Sequence, residues 1–138
     1  MKRIKNGWLR RRTERGAAAV EMAIVTPLLI LICFGIIEFG WMFTVKNTML
    51  NAVREGARTG SLQGSTYSDI KLRVDDFLGP INLAGKVNYD IVEASSEDPI
   101  VSVSLSIPAS EVSVVGNYFA WVLTGDVTAT ASMRKEGI

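Results

Sequence analysis

The longest apolar stretch of the chain lies close to its N-terminus. Residues 22–45 contain a single charge, Glu38, and are otherwise mostly apolar. As a helix this span is about 36 Å long, which exceeds the thickness of a bilayer hydrocarbon core. Trp41 and Phe43 lie where an interfacial aromatic anchor belongs. The pattern predicts one tilted transmembrane helix, to which residues 17–45 are assigned.

A helical stripe of apolar positions continues beyond this block. Its members follow one another at spacings of three, four and four residues: Met42, Val45, Met49 and Val53. This periodicity predicts that the helix runs to about residue 59. The Gly- and Ser-rich run that follows ends the helix, so residues 46–64 are a helical extension and a loop. The exposed stripe requires a partner surface.

A second helix is predicted at about residues 67–78. Thr66 and Asp69 have the spacing of a capping box, and Gly79-Pro80 is typical of a helix end. One face of this helix is apolar, formed by Ile70, Val74, Phe77 and Leu78.

Three later segments alternate between apolar and polar residues. They lie at about 87–91, 101–107 and 127–133. Such alternation is typical of an antiparallel sheet covered on one side, and either predicted helix is a suitable cover. Residues 112–123 are strongly apolar, and their pattern fits a strand or a helix equally well. The predicted fold is α+β, with a long N-terminal helix packed on a small sheet and residues 65–138 forming the extracytoplasmic domain.

The net charge of +1 conceals a marked asymmetry. Residues 1–16 carry +6, which leaves −5 for the rest of the chain. A basic segment directly before an apolar helix favours a cytoplasmic N-terminus over a nucleic-acid site. We expect residues 1–16 to be disordered or to lie along the membrane surface. A cleaved secretory peptide is the weaker alternative, because the apolar stretch is too long for an ordinary signal sequence.

The junction between the basic segment and the helix resembles a type IV prepilin processing site. A glycine, Gly16, is followed by Ala17, by further small residues and by a lone acid, Glu21. The resemblance implies cleavage between Gly16 and Ala17, and it makes residues 1–16 a leader. Glycine also allows the backbone to approach a protease without side-chain obstruction.

Two acids lie within the predicted membrane helix. A carboxylate in a membrane is costly, by about 2.5–3.5 kcal/mol at the centre, and usually has a function. In pilin-like assemblies, the acid at the position of Glu21 is expected to pair with the N-terminal amine of a neighbouring subunit and to set the axial register. The alternative is that Glu21 lies among lipid headgroups. For Glu38, pairing with a basic group of another subunit and extension towards the outer membrane surface remain equally open.

The composition offers little for catalysis. The chain has no histidine, which removes His-based triads and most zinc sites. Cys33 is the single cysteine, so no intramolecular disulfide forms. We expect a protein that is not an enzyme and that has no cofactor, no metal and no nucleic-acid partner.

Residues 15–59 resemble the TadE-like family of the tight-adherence (Tad) pilus system. The shared features are the Gly-Ala-x-x-x-Glu junction, an early proline, a late Glu-Phe-Gly, and the segment Arg54-Glu55-Gly56-Ala57-Arg58. The segment 128–134 is also similar to the C-terminal end of that family.

This resemblance implies a minor pilin or pseudopilin that a prepilin peptidase processes. Its partners would be that peptidase, other pilin or pseudopilin subunits, the inner-membrane assembly platform and membrane lipid. It would lie in a bacterial inner membrane with its domain outside, or enter a cell-surface pilus. The alternative is an unprocessed single-pass scaffold or binding subunit, including a short TadG-like protein.

Overall fold

The chain divides into two compact units, Met1–Ile37 and Glu38–Ile138. The computed structural model describes the backbone of residues 6–116 and 124–137, and the side chains of residues 16–116 and 124–137. Helix α1 spans Asn6–Ser61 and continues through Pro27. The expected α+β class is confirmed, since the second unit combines helices with a three-stranded antiparallel sheet.

Helix α1 begins earlier than its hydrophobic pattern predicts. The expectation of disorder up to residue 16 is wrong for residues 6–16, which are helical, whereas residues 1–5 lie outside the described part. The reason is intrinsic propensity, because this stretch contains four arginines, a leucine and a glutamate, all good helix formers. Each of its two glycines, Gly7 and Gly16, costs a helix only about 1 kcal/mol relative to alanine, too little to end it.

Helix α2, Tyr67–Leu78, agrees with the predicted range. The Asp69 carboxylate accepts hydrogen bonds from the backbone N–H of Thr66 at 3.0 Å and from its hydroxyl at 2.8 Å. These bonds, the hydroxyl's first, hold the pKa of Asp69 below its usual value. A short 3-10 helix, Gly79–Ile81, follows at the predicted stop.

The sheet has the strand order β1-β2-β3 and is antiparallel throughout. Its strands are β1 Asn88–Val92, β2 Ile100–Pro108 and β3 Asp126–Arg134. The side facing away from the core carries hydroxyl groups that pair across strands. Ser102 lies 3.1 Å from Ser132 and Ser104 lies 3.0 Å from Thr130, measured between hydroxyl oxygens. The predicted two-faced sheet is confirmed.

The hydrophobic core lies between this sheet and both helices. Either helix was a suitable cover for the sheet, and the structure uses both. Most of the buried residues come from the C-terminal part of α1, from α2 and from the inner face of the sheet: Val45, Met49, Ala52, Val53, Ala57, Ile70, Val74, Leu78, Val101, Val103, Leu105, Ile107, Val127 and Ala129. The remaining ones lie in the connecting segments: Leu83, Val87, Ala109 and Val112.

The segment 112–123 is described only in part. A short helix α3, Ala109–Val112, ends at its first residue, and an irregular turn occupies residues 113–116. Residues 117–123 lie outside the described part, so the choice between strand and helix there stays open.

Candidate functional site

The processing junction lies on α1 in the first unit. Gly16, Ala17 and Glu21 are all helical and exposed. Among the described residues, no atom outside the local helix lies within 4 Å of the place where a Cβ on Gly16 would be. Among the described residues, no hydrogen bond or ion pair engages Glu21. The junction is therefore an open helical surface whose acid has no partner in the described part of this chain.

Glu38 lies in the second unit, and its surroundings differ from those of Glu21. Its side chain is only 2% exposed. One carboxylate oxygen, Oε2, accepts hydrogen bonds from the backbone N–H groups of Val114 at 3.1 Å and Val115 at 3.0 Å. The other, Oε1, is buried and has no hydrogen-bond partner within the described part of the chain. Within the described part of the chain, Glu38 thus binds the backbone of a distant turn. Its pairing with another subunit and its extension towards the outer membrane surface both stay predictions.

Trp41 lies one helical turn after Glu38 and binds the same region. Its indole N–H donates a hydrogen bond of 2.9 Å to the carbonyl oxygen of Val112. Two side chains of α1 thus satisfy three backbone groups around the turn at 113–116. We call Glu38, Trp41 and residues 112–115 the helix–turn clamp.

Sequence reasoning missed the clamp, although a signal for one half of it was present. Glu38, Val45 and Ala52 are spaced by seven residues, so Glu38 belongs to the same helical stripe that packs on the sheet. Its position on that stripe indicates burial within the chain. No local pattern identifies residues 112–115 as its partners, because that contact joins positions more than 70 residues apart in the chain.

The family-motif segment 54–58 lies within α1 and contacts α2. Glu55 forms ion pairs with Arg73 of α2 at 3.1 Å and with Arg58 at 3.7 Å, measured between nitrogen and oxygen. Arg54 is exposed. Because these arginines are largely in solvent, each pair contributes at most about 1 kcal/mol.

Gly56 makes a stronger contribution to this contact than the charges do. A Cβ on Gly56 would lie 2.6 Å from Val74 Cγ2 of α2, closer than real atoms approach. A Cβ on Gly60, one turn later, would lie 2.7 Å from Val101 Cγ1 of β2 and 2.8 Å from Ile70 Cδ1. The two glycines let α2 and the sheet pack directly on the α1 backbone. The requirement for glycine at 60 was not predicted.

Within the described residues, no group of three or more metal-binding side chains is placed to hold an ion. Among those same residues, one helix is long and apolar enough to cross a membrane, judged by length and composition. Fold and site together define a small α+β protein built on a long N-terminal helix with an apolar, solvent-accessible first half.

Comparison with protein families gives a match over part of this helix. Residues 16–58 match the model of the TadE-like protein family. The TadE-like resemblance found in the sequence is thereby confirmed over this segment. The match includes the junction, Glu38 and the segment 54–58, and it does not include residues 128–134.

Two wider comparisons found no relatives. No curated protein and no solved structure matches the chain significantly.

Proposed function

We propose that the chain is a minor pilin or pseudopilin of a Tad-type pilus, cleaved between Gly16 and Ala17 by a prepilin peptidase. The observation that carries this proposal is the match of residues 16–58 to the TadE-like family, whose first matched residue is Gly16. The basic segment before it holds the N-terminus in the cytoplasm and the domain outside, by the positive-inside rule. Its removal deletes a charge of +6 and frees the helix for extraction from the membrane.

The exposure of the junction supports this role. A membrane-embedded peptidase can approach Gly16 without displacing any packed side chain, because the space around its Cα is open. The backbone there is helical, and a protease requires a locally extended strand. Glycine lowers the cost of that unwinding by about 1 kcal/mol compared with alanine.

Glu21 is the proposed assembly contact. After cleavage, the new amine of Ala17 in one subunit pairs with Glu21 of its neighbour, which offsets the cost of burying both charges. The exposed apolar residues around Glu21 pack against the corresponding helices of other subunits. Cleavage and register are thus coupled, because cleavage creates the amine that Glu21 binds.

The decisive experiment is the intact mass and N-terminal sequence of the protein isolated from its own membranes. We expect a chain that starts at Ala17. Gly16→Ala should slow or abolish this cleavage, whereas Gly35→Ala is a matched control, since its surroundings are equally open. An uncleaved chain in the presence of active peptidase would contradict the proposal. It would favour the alternative of an unprocessed single-pass scaffold or binding subunit.

A further inference from the structure

The turn at 113–116 satisfies its backbone in an unusual way. Its flanking carbonyl, on Val112, is bound by the Trp41 indole, and two of its N–H groups are bound by Glu38. Surface turns in water ordinarily leave such groups to the solvent. Here the buried carboxylate of Glu38 takes the place of solvent for two N–H groups, although burying a carboxylate is costly. The arrangement is advantageous where water does not reach the turn.

The side chains around the helix–turn clamp are apolar and exposed. Val114 is 56% exposed, Phe39 67% and Phe43 69%. Apart from Glu38, residues 38–45 and 112–116 contain no charged residue. The nearest charges on either side are Lys46 and Glu111. Exposed apolar side chains thus lie on the helix beside Glu38 and on the turn that it binds, and three backbone groups at this turn are bound by side chains of the helix.

We propose that this surface, formed by Phe39, Phe43 and Val114, lies in the lipid at the outer face of the membrane, with the helix–turn clamp holding the turn there. Non-helical backbone persists at such depth only where protein groups satisfy it, and Glu38 and Trp41 do so. The proposal rests on the membrane anchoring in the proposed function. It adds a second lipid contact, made by the folded domain.

Lipid fits this surface better than a neighbouring subunit does. In the sequence, Phe39 and Phe43 directly continue the apolar run that ends at Ile37. The exposed face presents apolar side chains, and the backbone groups beside it that the clamp binds already have partners. Glu38 Oε1, which has no partner in the described part of the chain, is buried and not part of this exposed face. Contact with lipid tails requires only apolar side chains, whereas protein interfaces usually also contain hydrogen bonds and a polar rim.

The test is the depth of a fluorescent label in vesicles of phosphatidylcholine and phosphatidylglycerol. In a Cys33→Ala background of the full chain, Val114→Cys carries an environment-sensitive dye. Leu72→Cys is the matched control, because Leu72 is also apolar and 66% exposed but lies on α2 between Lys71 and Arg73. Quenching is measured with spin-labelled lipids and with aqueous iodide.

We expect the label at 114 to be quenched by the labelled lipids about threefold more than the label at 72, as for groups buried 5–10 Å into the interface. Iodide should show the reverse order. Equal quenching of both labels by iodide would overturn the proposal. Protection of position 114 from both quenchers, lost on dilution with empty vesicles, would overturn it too and identify a neighbouring subunit as the occupant.

The clamp itself is tested by two substitutions of Glu38 in the labelled protein. Glu38→Ala removes the acceptor of both N–H groups, so the label at 114 should lose its lipid quenching while the sheet, followed by circular dichroism, remains. Glu38→Gln keeps an acceptor oxygen and should retain the quenching. Unchanged lipid quenching in Glu38→Ala would show that Glu38 does not hold the turn in the membrane.

The measurement is independent of pilus assembly, because it uses the full, uncleaved chain in vesicles that contain no peptidase. Co-flotation with the vesicles reports anchoring separately. A chain that floats but shows an aqueous label at 114 refutes this inference and leaves the anchor intact. A chain that does not float contradicts the anchor, and with it this contact.

Discussion

Helix α1 has two parts that use similar apolar residues in opposite ways. Before residue 38, its large apolar side chains are exposed, as Ile24 is to 72%. After residue 38, Val45, Met49 and Val53 are completely buried against α2 and the sheet. The apolar residues of the second part pack on other elements of the described chain, whereas those of the first part remain exposed.

The difference shows that apolar content and apolar patterning carry separate information. From residue 22 to residue 37 the first part carries no charge and is apolar on nearly all sides, which is typical of a helix that meets lipid or other subunits. The second has one stripe only, which is typical of a helix packed on a domain. The two glutamates follow the same division, with Glu21 exposed and Glu38 buried. Four predictions test this contrast.

Truncation of the apolar side chains should give the largest difference. Met49→Ala leaves a cavity in the core and should lower the free energy of unfolding of the domain by about 3 kcal/mol. Leu29→Ala, at an exposed position, should leave it unchanged. The measurement is thermal unfolding of the sheet in detergent micelles, followed by circular dichroism. Equal losses in both variants would remove the contrast between the two parts.

The glycines should separate in the same manner. Gly56→Val drives its side chain into Val74 and should destabilise the domain by about 2–3 kcal/mol through overpacking. Gly40→Val is the control, since no atom outside the local helix lies within 4 Å of a Cβ there, and it should be close to neutral. Chemical denaturation of both variants measures the difference. A stable Gly56→Val protein would mean that α2 does not pack on the α1 backbone as described.

The two glutamates sharpen the comparison further. Glu38→Ala leaves two N–H groups without their acceptor and should destabilise the domain by about 2 kcal/mol. Glu21→Ala should leave domain stability unchanged and instead impair pilus assembly, because it removes the proposed partner of the Ala17 amine. Hydrogen exchange of the sheet amides gives the first result, and counting pili on cells that express each variant gives the second. A Glu21→Ala variant with normal pili would argue against the pairing.

The smallest effect concerns pH and is confined to the second unit. Burial, followed by the hydrogen bond that Tyr89 donates to Asp75, raises the pKa of Tyr89 to about 12. Since its usual pKa is 10.0, the folded state favours the protonated phenol. The resulting stability is complete below about pH 10 and is lost as the pH rises towards 12.

Tyr89→Phe should therefore lose less stability than the wild type over this alkaline range. The measurement is the urea midpoint of both proteins just below pH 10 and at about pH 11. Parallel loss in the two proteins would assign the pH dependence to other groups.

Much of the fold followed from local patterns. The alternation in β2 and β3, the stripe of Val45 and Met49, and the punctuation around α2 predicted these elements because burial on one face imposes a period on the sequence. The junction at Gly16 was recognisable for a similar reason, since its signal is contiguous. The start of α1 was mispredicted, because residues 6–15 are helical by propensity without any hydrophobic period.

The contacts between distant segments were decided by the tertiary structure alone. The sequence around Glu38 does not predict that residues 114 and 115 bind it. The sequence around Gly56 does not predict that Val74 packs against it. A periodic pattern states that a face is buried, because the period depends on the element's own geometry. It does not state which surface covers the face, because that choice depends on how all the elements fit together in space.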